Sequence, residues 1–222
     1  AGQGIADNMR LWTRGVDHDR YDPARRSQKW RQAHGIADDD VLIAYAGRLV
    51  AEKNMAVMAR VFVGLKKRCV AHRTIFLGDG PEAGWMRKAL PDTVFAGFLH
   101  GDELATGFAS SDIFFFPSIT ETFGNVTLEA MASGLPSVAA DATGSRSLVR
   151  EGETGFLAPV DREDLMMERL AQLAADGRMR HEFGARAREI AISDHEWDSI
   201  FARLRSDYEA AITQYASAKH QM

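Results

Sequence analysis

Apolar residues along the chain follow two alternating patterns, short continuous runs and longer segments with helical spacing. In 54–67, for example, apolar residues recur three and four positions apart, the spacing of an amphipathic helix. Continuous runs suit strands that are buried on both faces of a parallel sheet. They occur at 41–47, 73–77, 93–98, 113–116, 137–140 and 155–158. The pattern therefore predicts six strands that alternate with helices.

The segments with helical character predict helices at 25–33, 54–67, 82–90, 102–110, 126–133, 144–151, 162–176, 177–190 and 196–217, and a short strand is predicted over 11–17. Strands that alternate with helices form a mainly parallel sheet with right-handed crossovers and helices on both faces. We therefore predict the α/β class, with a Rossmann-like parallel sheet of about six strands and additional C-terminal helices. Because no internal repeat or linker is evident, residues 1–222 are predicted to form one domain. Residues 1–17 lead into it and 195–222 form its C-terminal helix.

Composition and charge narrow the function classes. The 222 residues are 45% hydrophobic, enough for one domain with a sizeable core, and the net charge of −4 gives no case for nucleic acid as a partner. The one cysteine, Cys69, excludes an internal disulfide, and no histidine has metal-ligand spacing. No apolar run spans a membrane and no secretory signal is visible, so we expect a cytoplasmic protein. The opening residues indicate part of a longer protein.

A basic helical stretch lies in the C-terminal part, with Arg178, Arg180, Arg186 and Arg188. Such a stretch is usually a solvated helix face, and the alternative is peripheral contact with an anionic membrane surface.

Glycine-bearing loops follow several predicted strands, at Gly47, Gly78 and Gly97. In open parallel sheets ligands bind beyond the carboxyl ends of the strands, so these loops are expected to meet at one crevice. Arg48 and Lys53 follow the first strand, and both suit phosphate, the arginine through its planar fork and the lysine as a point charge. The alternative is a loop with two solvated cations.

The segment 121–129 joins the strand at 113–116 to a helix and contains two carboxylates, Glu121 and Glu129. With Asn125 as the helix N-cap, the amides that follow at 126–128 would face an anion. Carboxylates cannot hold phosphate, but they accept hydrogen bonds from sugar hydroxyls. The alternatives are a solvated loop acid for Glu121 and a favourable helix-dipole interaction for Glu129. Together these features predict a sugar-nucleotide site.

These motifs together resemble the C-terminal, donor-binding domain of a family 4 (group 1) glycosyltransferase of the GT-B fold. The matching pieces extend from 12–17 to Trp197. They include 47–53, 78–81, 116–118, 121–136 and 152–157.

The resemblance implies roles for individual residues. Arg48 and Lys53 would bind the donor diphosphate, and Glu129 would hold the ribose hydroxyls. Glu121 would face the donor sugar, so that Glu121, Arg48 and Lys53 are the implied catalytic residues. The other donor-binding positions implied are Gly47, Gly78, Phe98, Leu99, Phe123, Gly124, Asn125, Val126 and Thr127, with the backbone at 98–99 meeting the base.

The resemblance further implies transfer of a hexose from a nucleoside-diphosphate sugar of the UDP or GDP type, with retention at the anomeric carbon and no metal or other cofactor. The acceptor, a membrane lipid or a glycan, would be recognised by an N-terminal half outside this chain. We therefore expect the chain alone to bind donor weakly and to transfer no sugar. The Trp12–Asp17 and 123–126 sequences are similar to those of sulfoquinovosyl- and mannosyl-lipid enzymes, which implies a location at the inner membrane.

Two alternatives remain open from the sequence. One is another GT-B enzyme, such as a sugar-nucleotide epimerase or a glycogen-synthase-like transferase. The other is a non-catalytic module that senses a nucleotide sugar.

Overall fold

A computed structural model describes residues 12–219 of the chain, with side chains described through residue 215. Its centre is one six-stranded parallel sheet in the order β3-β2-β1-β4-β5-β6. The strands are β1 Leu42–Ala46, β2 Arg73–Leu77, β3 Val94–Gly97, β4 Ile113–Phe116, β5 Ser137–Ala140 and β6 Gly155–Ala158. The predicted α/β class and six-stranded Rossmann-like sheet are confirmed.

The helices follow the strands in the predicted alternation. They are α1 Gln28–Ala33, α2 Met55–Lys67, α3 Ala83–Ala89, α4 Gly101–Ala109, α5 Asn125–Ala132, α6 Thr143–Arg146, α7 Glu163–Ala175, α8 Gly177–His195 and α9 Trp197–Lys219. Short 3-10 turns lie at Pro23–Arg25 and Ala51–Lys53. None of the helices in the described part of the chain is long and apolar enough to cross a membrane.

The continuous apolar runs become strands because both faces of the sheet are covered. Every residue of β1 and β4 is buried, and the ring of Tyr45 stacks on Phe116 at 5.7 Å between centroids. On one side α2 contacts α3 and α7, and on the other α5 contacts α4 and α8. Helices on both faces remove the sheet from water, which accounts for the uninterrupted apolar sequences.

The order of the strands places a reversal point at the centre of the sheet. From β1 the chain moves outward through β2 to β3, then returns to β4, which pairs with β1 on its other side. The loops that follow β1 and β4 therefore lead to opposite faces of the sheet and leave a crevice at the carboxyl ends of these two strands. This crevice is where the sequence predicts a ligand.

A buried arginine joins the amino-terminal ends of the two central strands, β1 and β4. Arg31 of α1 is fully buried and donates to the carbonyl oxygens of Ser110 and Asp40 at 2.7 and 2.6 Å, and to the Asp112 carboxylate at 3.2 Å. The same carboxylate oxygen accepts the Leu42 amide at 2.8 Å. The network ties the starts of β1 and β4 together.

Three local predictions were wrong. The strand predicted over 11–17 does not form within the described residues, because Val16 makes only an isolated bridge to Glu196. The helix predicted over 144–151 is the shorter Thr143–Arg146, and α8 continues past residue 190 to His195. Residues 1–11 and 220–222 of the predicted terminal segments lie outside the described part of the chain.

The arginines of the basic stretch in α8 pair with other groups of the same chain. Arg178 pairs with Glu182 and Arg186 with Glu189. Arg180 and Arg188 donate to backbone carbonyl oxygens, and Arg188 also pairs with Asp22. Because all four side chains have partners in this chain, the stretch offers little unpaired positive charge for an anionic surface.

Candidate active site at the carboxyl ends of the strands

The loop after β1 is shaped by a glycine and a tyrosine. Gly47 has φ +136°, a conformation that residues with a side chain rarely adopt, and it turns the chain sharply at the end of the strand. The hydroxyl of Tyr45 then donates to the carbonyl oxygen of Arg48 at 2.9 Å. The Leu49 amide donates to the Asp79 carbonyl oxygen at 2.9 Å, which joins this loop to the loop after β2.

Gly78 owes its position to this close approach of two loops. A Cβ at Gly78 would overlap the carbonyl oxygen of Gly47. The predicted ligand-binding glycine therefore has a packing role, because it allows the first loop to lie directly against the second.

Lys53 and Glu121 meet across the reversal point. Lys53 follows β1 and Glu121 follows β4, and their side chains form an ion pair in which both are largely shielded from solvent, with 14% and 21% exposure. The ammonium also donates to the Thr120 hydroxyl at 3.3 Å. The side-chain nitrogen Nδ2 of Asn54 donates to the Pro117 carbonyl oxygen at 2.8 Å, a second link between the loops. Two residues singled out independently in the sequence are thus brought together.

Arg48 stands apart from this pair. Its guanidinium is bonded to Glu52, four residues further along the chain, at 2.9 Å, and its side chain is 72% exposed. The structure therefore places the two predicted phosphate ligands on the same loop but with separate partners.

The helix that follows Glu121 begins one residue earlier than predicted. Gly124, with φ +97°, is the N-cap, and Asn125 is the first helical residue rather than the cap. The Leu128 amide donates to the Gly124 carbonyl oxygen at 3.0 Å. It is therefore not available to a ligand, and the prediction that it faces an anion was wrong. The amides of Asn125, Val126 and Thr127 are the ones without an acceptor inside the helix, an arrangement that suits an anion.

A second glycine, Gly144, allows the loop that carries Glu121 to be closely packed. A Cβ at Gly144, in α6, would lie 2.7 Å from the Cβ and 2.8 Å from the carbonyl oxygen of Glu121. Only glycine lets the loop after β5 pack this closely against the loop after β4. The position of the carboxylate near Lys53 depends on that contact.

In contrast to Glu121, which lies in the loop before α5, Glu129 lies within that helix. It lines a cleft of about 260 Å³ together with Arg14, Gly15, Tyr21, Asn125 and Trp197. Burial raises the pKa of Glu129 to about 7, and a hydrogen bond from the Tyr21 hydroxyl acts in the opposite direction. A Cβ at Gly15 would lie 2.5 Å from the Trp197 ring, so glycine is needed for the segment before β1 to reach this cleft.

The remaining predicted positions lie in the loops that follow β3 and β4. Phe98, at the end of the edge strand β3, is 76% exposed and stacks on His100 at 5.9 Å, while Leu99 packs against the core. Phe123 is half-buried and contacts the His195 ring edge-on at 5.7 Å. Phe98 thus presents an open aromatic face at the same edge of the sheet as Lys53.

The structure adds residues that the sequence did not single out. Tyr21 and His195 are distant in the chain from 121–129, yet Tyr21 lines the same cleft as Glu129 and His195 contacts Phe123. His195 also lies 3.0 Å from the Arg14 carbonyl oxygen. No local pattern marks these contacts. Among the described residues, no group of three His, Cys, Asp or Glu side chains is placed to hold a metal ion.

This chain is similar in sequence to known proteins. The family model described as glycosyl transferases group 1 matches residues 26–190. The chain is 38% identical to the sulfoquinovosyl transferase SQD2 of Arabidopsis thaliana over 220 residues, which cover 96% of this chain and 42% of that protein. It is 34% identical to a GDP-mannose-dependent alpha-mannosyltransferase of Corynebacterium glutamicum, over 90% of this chain and 47% of that protein.

A solved structure shows the same fold. The Anabaena protein HepE, determined in complex with UDP and glucose, superposes with a TM-score of 0.77 at 22% identity, over 93% of this chain and 58% of that one. The chain spans about half the length of the curated relatives it matches. Its sheet corresponds to one part of the GT-B architecture. Because the family model covers most of the chain and relatives above 30% identity cover nearly all of it, the chain belongs to the group 1 glycosyltransferases.

Proposed function

We propose that this chain is the donor-binding domain of a retaining hexosyltransferase that uses a nucleoside-diphosphate sugar of the UDP or GDP type. The observation that carries the proposal is the meeting of Lys53 and Glu121 beside the N-terminus of α5, at the reversal point of the sheet. A cation and helix amides suit a diphosphate, and a carboxylate suits sugar hydroxyls. The transferase names of the relatives favour this over an epimerase or a sensing module.

The electrostatics suit a leaving diphosphate. In glycosyl transfer, negative charge develops on the phosphate oxygens as the bond to the sugar breaks. The amides of Asn125, Val126 and Thr127 and the Lys53 ammonium are fixed in place before any ligand binds, so they can stabilise this charge without reorganisation. Arg48 joins them in the proposal by exchanging Glu52 for a phosphate oxygen, a change open to an exposed side chain. No metal ion is required for this arrangement to act.

The two glutamates have separate tasks in this proposal. Glu121, oriented by Lys53 and packed against Gly144, faces the donor sugar and interacts with positive charge on its anomeric carbon. Glu129 accepts hydrogen bonds from the ribose hydroxyls. The open aromatic face of Phe98 and the backbone at 98–99 lie where the base would be held. The structure with UDP and glucose belongs to a protein of the same fold, which supports this class of ligand.

The proposal assigns the acceptor to a second domain. A lipid or glycan acceptor, and a location at the inner face of a membrane, belong to the proposal because the Trp12–Asp17 and 123–126 sequences are similar to those of sulfoquinovosyl- and mannosyl-lipid enzymes. The chain alone is therefore expected to bind donor weakly and to transfer no sugar.

Titration calorimetry of the chain with UDP, GDP and ADP, in the presence of a chelator, tests the donor site. We expect saturable binding of one diphosphate. The double variant Arg48→Ala/Lys53→Ala should weaken binding more than tenfold, since each charged hydrogen bond is worth about 1.5–3 kcal/mol. The control, Lys66→Ala/Lys67→Ala, removes the same charge at the far end of α2. Equal weakening by both variants, or binding that needs added metal, would refute the proposal.

A further inference from the structure

Asn54 joins the two loops that face each other across the crevice. Its side-chain nitrogen Nδ2 donates to the carbonyl oxygen of Pro117 at 2.8 Å. Asn54 directly follows Lys53, and Pro117 directly follows β4, at the start of the loop that carries Glu121. Two consecutive residues after β1 therefore bond to the loop after β4, Asn54 at its first residue and Lys53 at its acid.

The backbone of Asn54 has a conformation that few residues adopt. Its φ of +57° and ψ of +42° are left-handed, a region in which glycine and asparagine are enriched. Its amide donates to the Ala51 carbonyl oxygen at 2.9 Å and closes the 3-10 turn, and its carbonyl oxygen accepts the Met58 amide at 3.0 Å and opens α2. Asparagine thus supplies both the turn between these two elements and a donor that reaches Pro117.

The links across the crevice differ in how a ligand would affect them. The Lys53 ammonium and the Glu121 carboxylate are the groups assigned above to the diphosphate and the sugar, so a bound donor competes with their ion pair. The bond from the same ammonium to the Thr120 hydroxyl, at 3.3 Å, is open to the same competition. The bond from Asn54 to Pro117 uses a side chain and a backbone carbonyl to which no ligand contact is assigned. It can therefore persist when the ion pair loosens.

We propose that Asn54 is a positioning residue for donor binding, which keeps the loops of Lys53 and Glu121 at a fixed separation while the donor occupies the crevice. The inference rests on the proposed function, because it takes these two side chains as ligands of the diphosphate and the sugar. A lysine side chain loses rotamer freedom when it is held on a phosphate, and ordering a loop costs further binding free energy. With the two loops already joined, the donor has only the side chains left to order.

The variant Asn54→Gly removes the side-chain donor and keeps the backbone conformation, because glycine adopts positive φ without strain. Affinity for UDP or GDP, measured by NMR titration, should fall about fivefold, the factor that corresponds to one neutral hydrogen bond. The matched control is Cys69→Gly, beyond the far end of α2, where an exposed residue has a similar φ of +56°. This control should leave the affinity unchanged.

A second background separates positioning from support of the fold. In Lys53→Ala the ammonium that Asn54 positions is absent, so adding Asn54→Gly should weaken binding by no more than about twofold further. The exchange of the Lys53 ammonium protons with water gives a readout that needs no ligand. These protons should exchange faster in Asn54→Gly than in the parent chain or in Cys69→Gly, since the ion pair that shields them from solvent is held less firmly.

The results that would overturn the inference are distinct. Unchanged affinity in Asn54→Gly refutes the role in donor binding, and unchanged ammonium exchange refutes the positioning of Lys53. Equal weakening with and without the Lys53 side chain, together with a lowered urea unfolding midpoint, shows that Asn54 only supports the fold. If the parent chain binds no nucleoside diphosphate, the proposed function fails, and the role of Asn54 in donor binding fails with it. The ammonium exchange then still decides whether Asn54 positions Lys53.

Discussion

Replacing Glu129 by glutamine should make the protein more stable at neutral to basic pH and less able to bind donor. In the folded state burial raises the pKa of Glu129 from 4.5 to about 7. Between these values the folded chain keeps a proton on Glu129 that the unfolded chain releases. Stability from this residue is therefore greatest at low pH, falls as the pH rises from 4.5 to 7, and stays at its lowest above 7. Glutamine is neutral throughout and avoids this loss.

The size of the effect follows from the same two values. A difference of one unit between the folded-state and unfolded-state pKa values corresponds to about 1.4 kcal/mol of stability. Comparing Glu129→Gln with the parent protein, the gain in unfolding free energy should be about 2–3 kcal/mol larger at pH 8 than at pH 5. A buried acid retained at such a cost is characteristic of a residue kept for function.

Urea unfolding at pH 5 and pH 8 measures both stabilities. The control is Glu209→Gln, at an exposed glutamate of α9, which should show no such difference between the two pH values. The same protein samples, titrated with UDP or GDP, should show donor binding lost in Glu129→Gln alone. A stability difference that is the same at both pH values would refute the account of a destabilising, buried carboxylate.

Two further predictions concern the scaffold. Gly78→Ala should destabilise the fold by about 2 kcal/mol or more, since a Cβ there overlaps the Gly47 carbonyl oxygen, whereas Gly84→Ala, with no atom within 4 Å of its Cβ, should not. Urea unfolding distinguishes them, and similar stability for both would contradict the packing argument. Arg31→Met should cost about 3–5 kcal/mol, because it leaves the carbonyl oxygens of Ala37, Asp40 and Ser110 without their donor. An unfolding midpoint close to that of the parent protein would show that the network adds little.

The strands were predictable from the sequence because burial on both faces leaves a simple signature. The bounds of β2, β4, β5 and β6 are those predicted, since each continuous apolar run is bounded by glycine, proline or charged residues. The start of α5 was misplaced for a physical reason. Asn125 has the side chain of an N-cap, but Gly124 can adopt φ +97° and so takes the cap position. The backbone conformation decided this boundary, and the sequence alone does not show it.

The candidate site was predictable only in part. Lys53 and Glu121 follow adjacent strands of the sheet, so topology alone brings their loops together. Arg48 was predicted to bind phosphate, but its guanidinium pairs with the nearby Glu52 instead, and the sequence does not show which partner it takes. Tyr21 and Glu129 line one cleft although they lie far apart in the chain, and no sequence periodicity reveals this.

The most direct test of the central claim is an amide NMR titration of the isotopically labelled chain with UDP or GDP, compared with the nucleoside that lacks phosphate. The account predicts that the diphosphate shifts the amide resonances of Asn125, Val126 and Thr127 at the N-terminus of α5, and that the nucleoside leaves them nearly unchanged. It also predicts that Lys53→Ala weakens the response. Diphosphate-induced shifts that bypass these amides would contradict the claim that this crevice holds the donor.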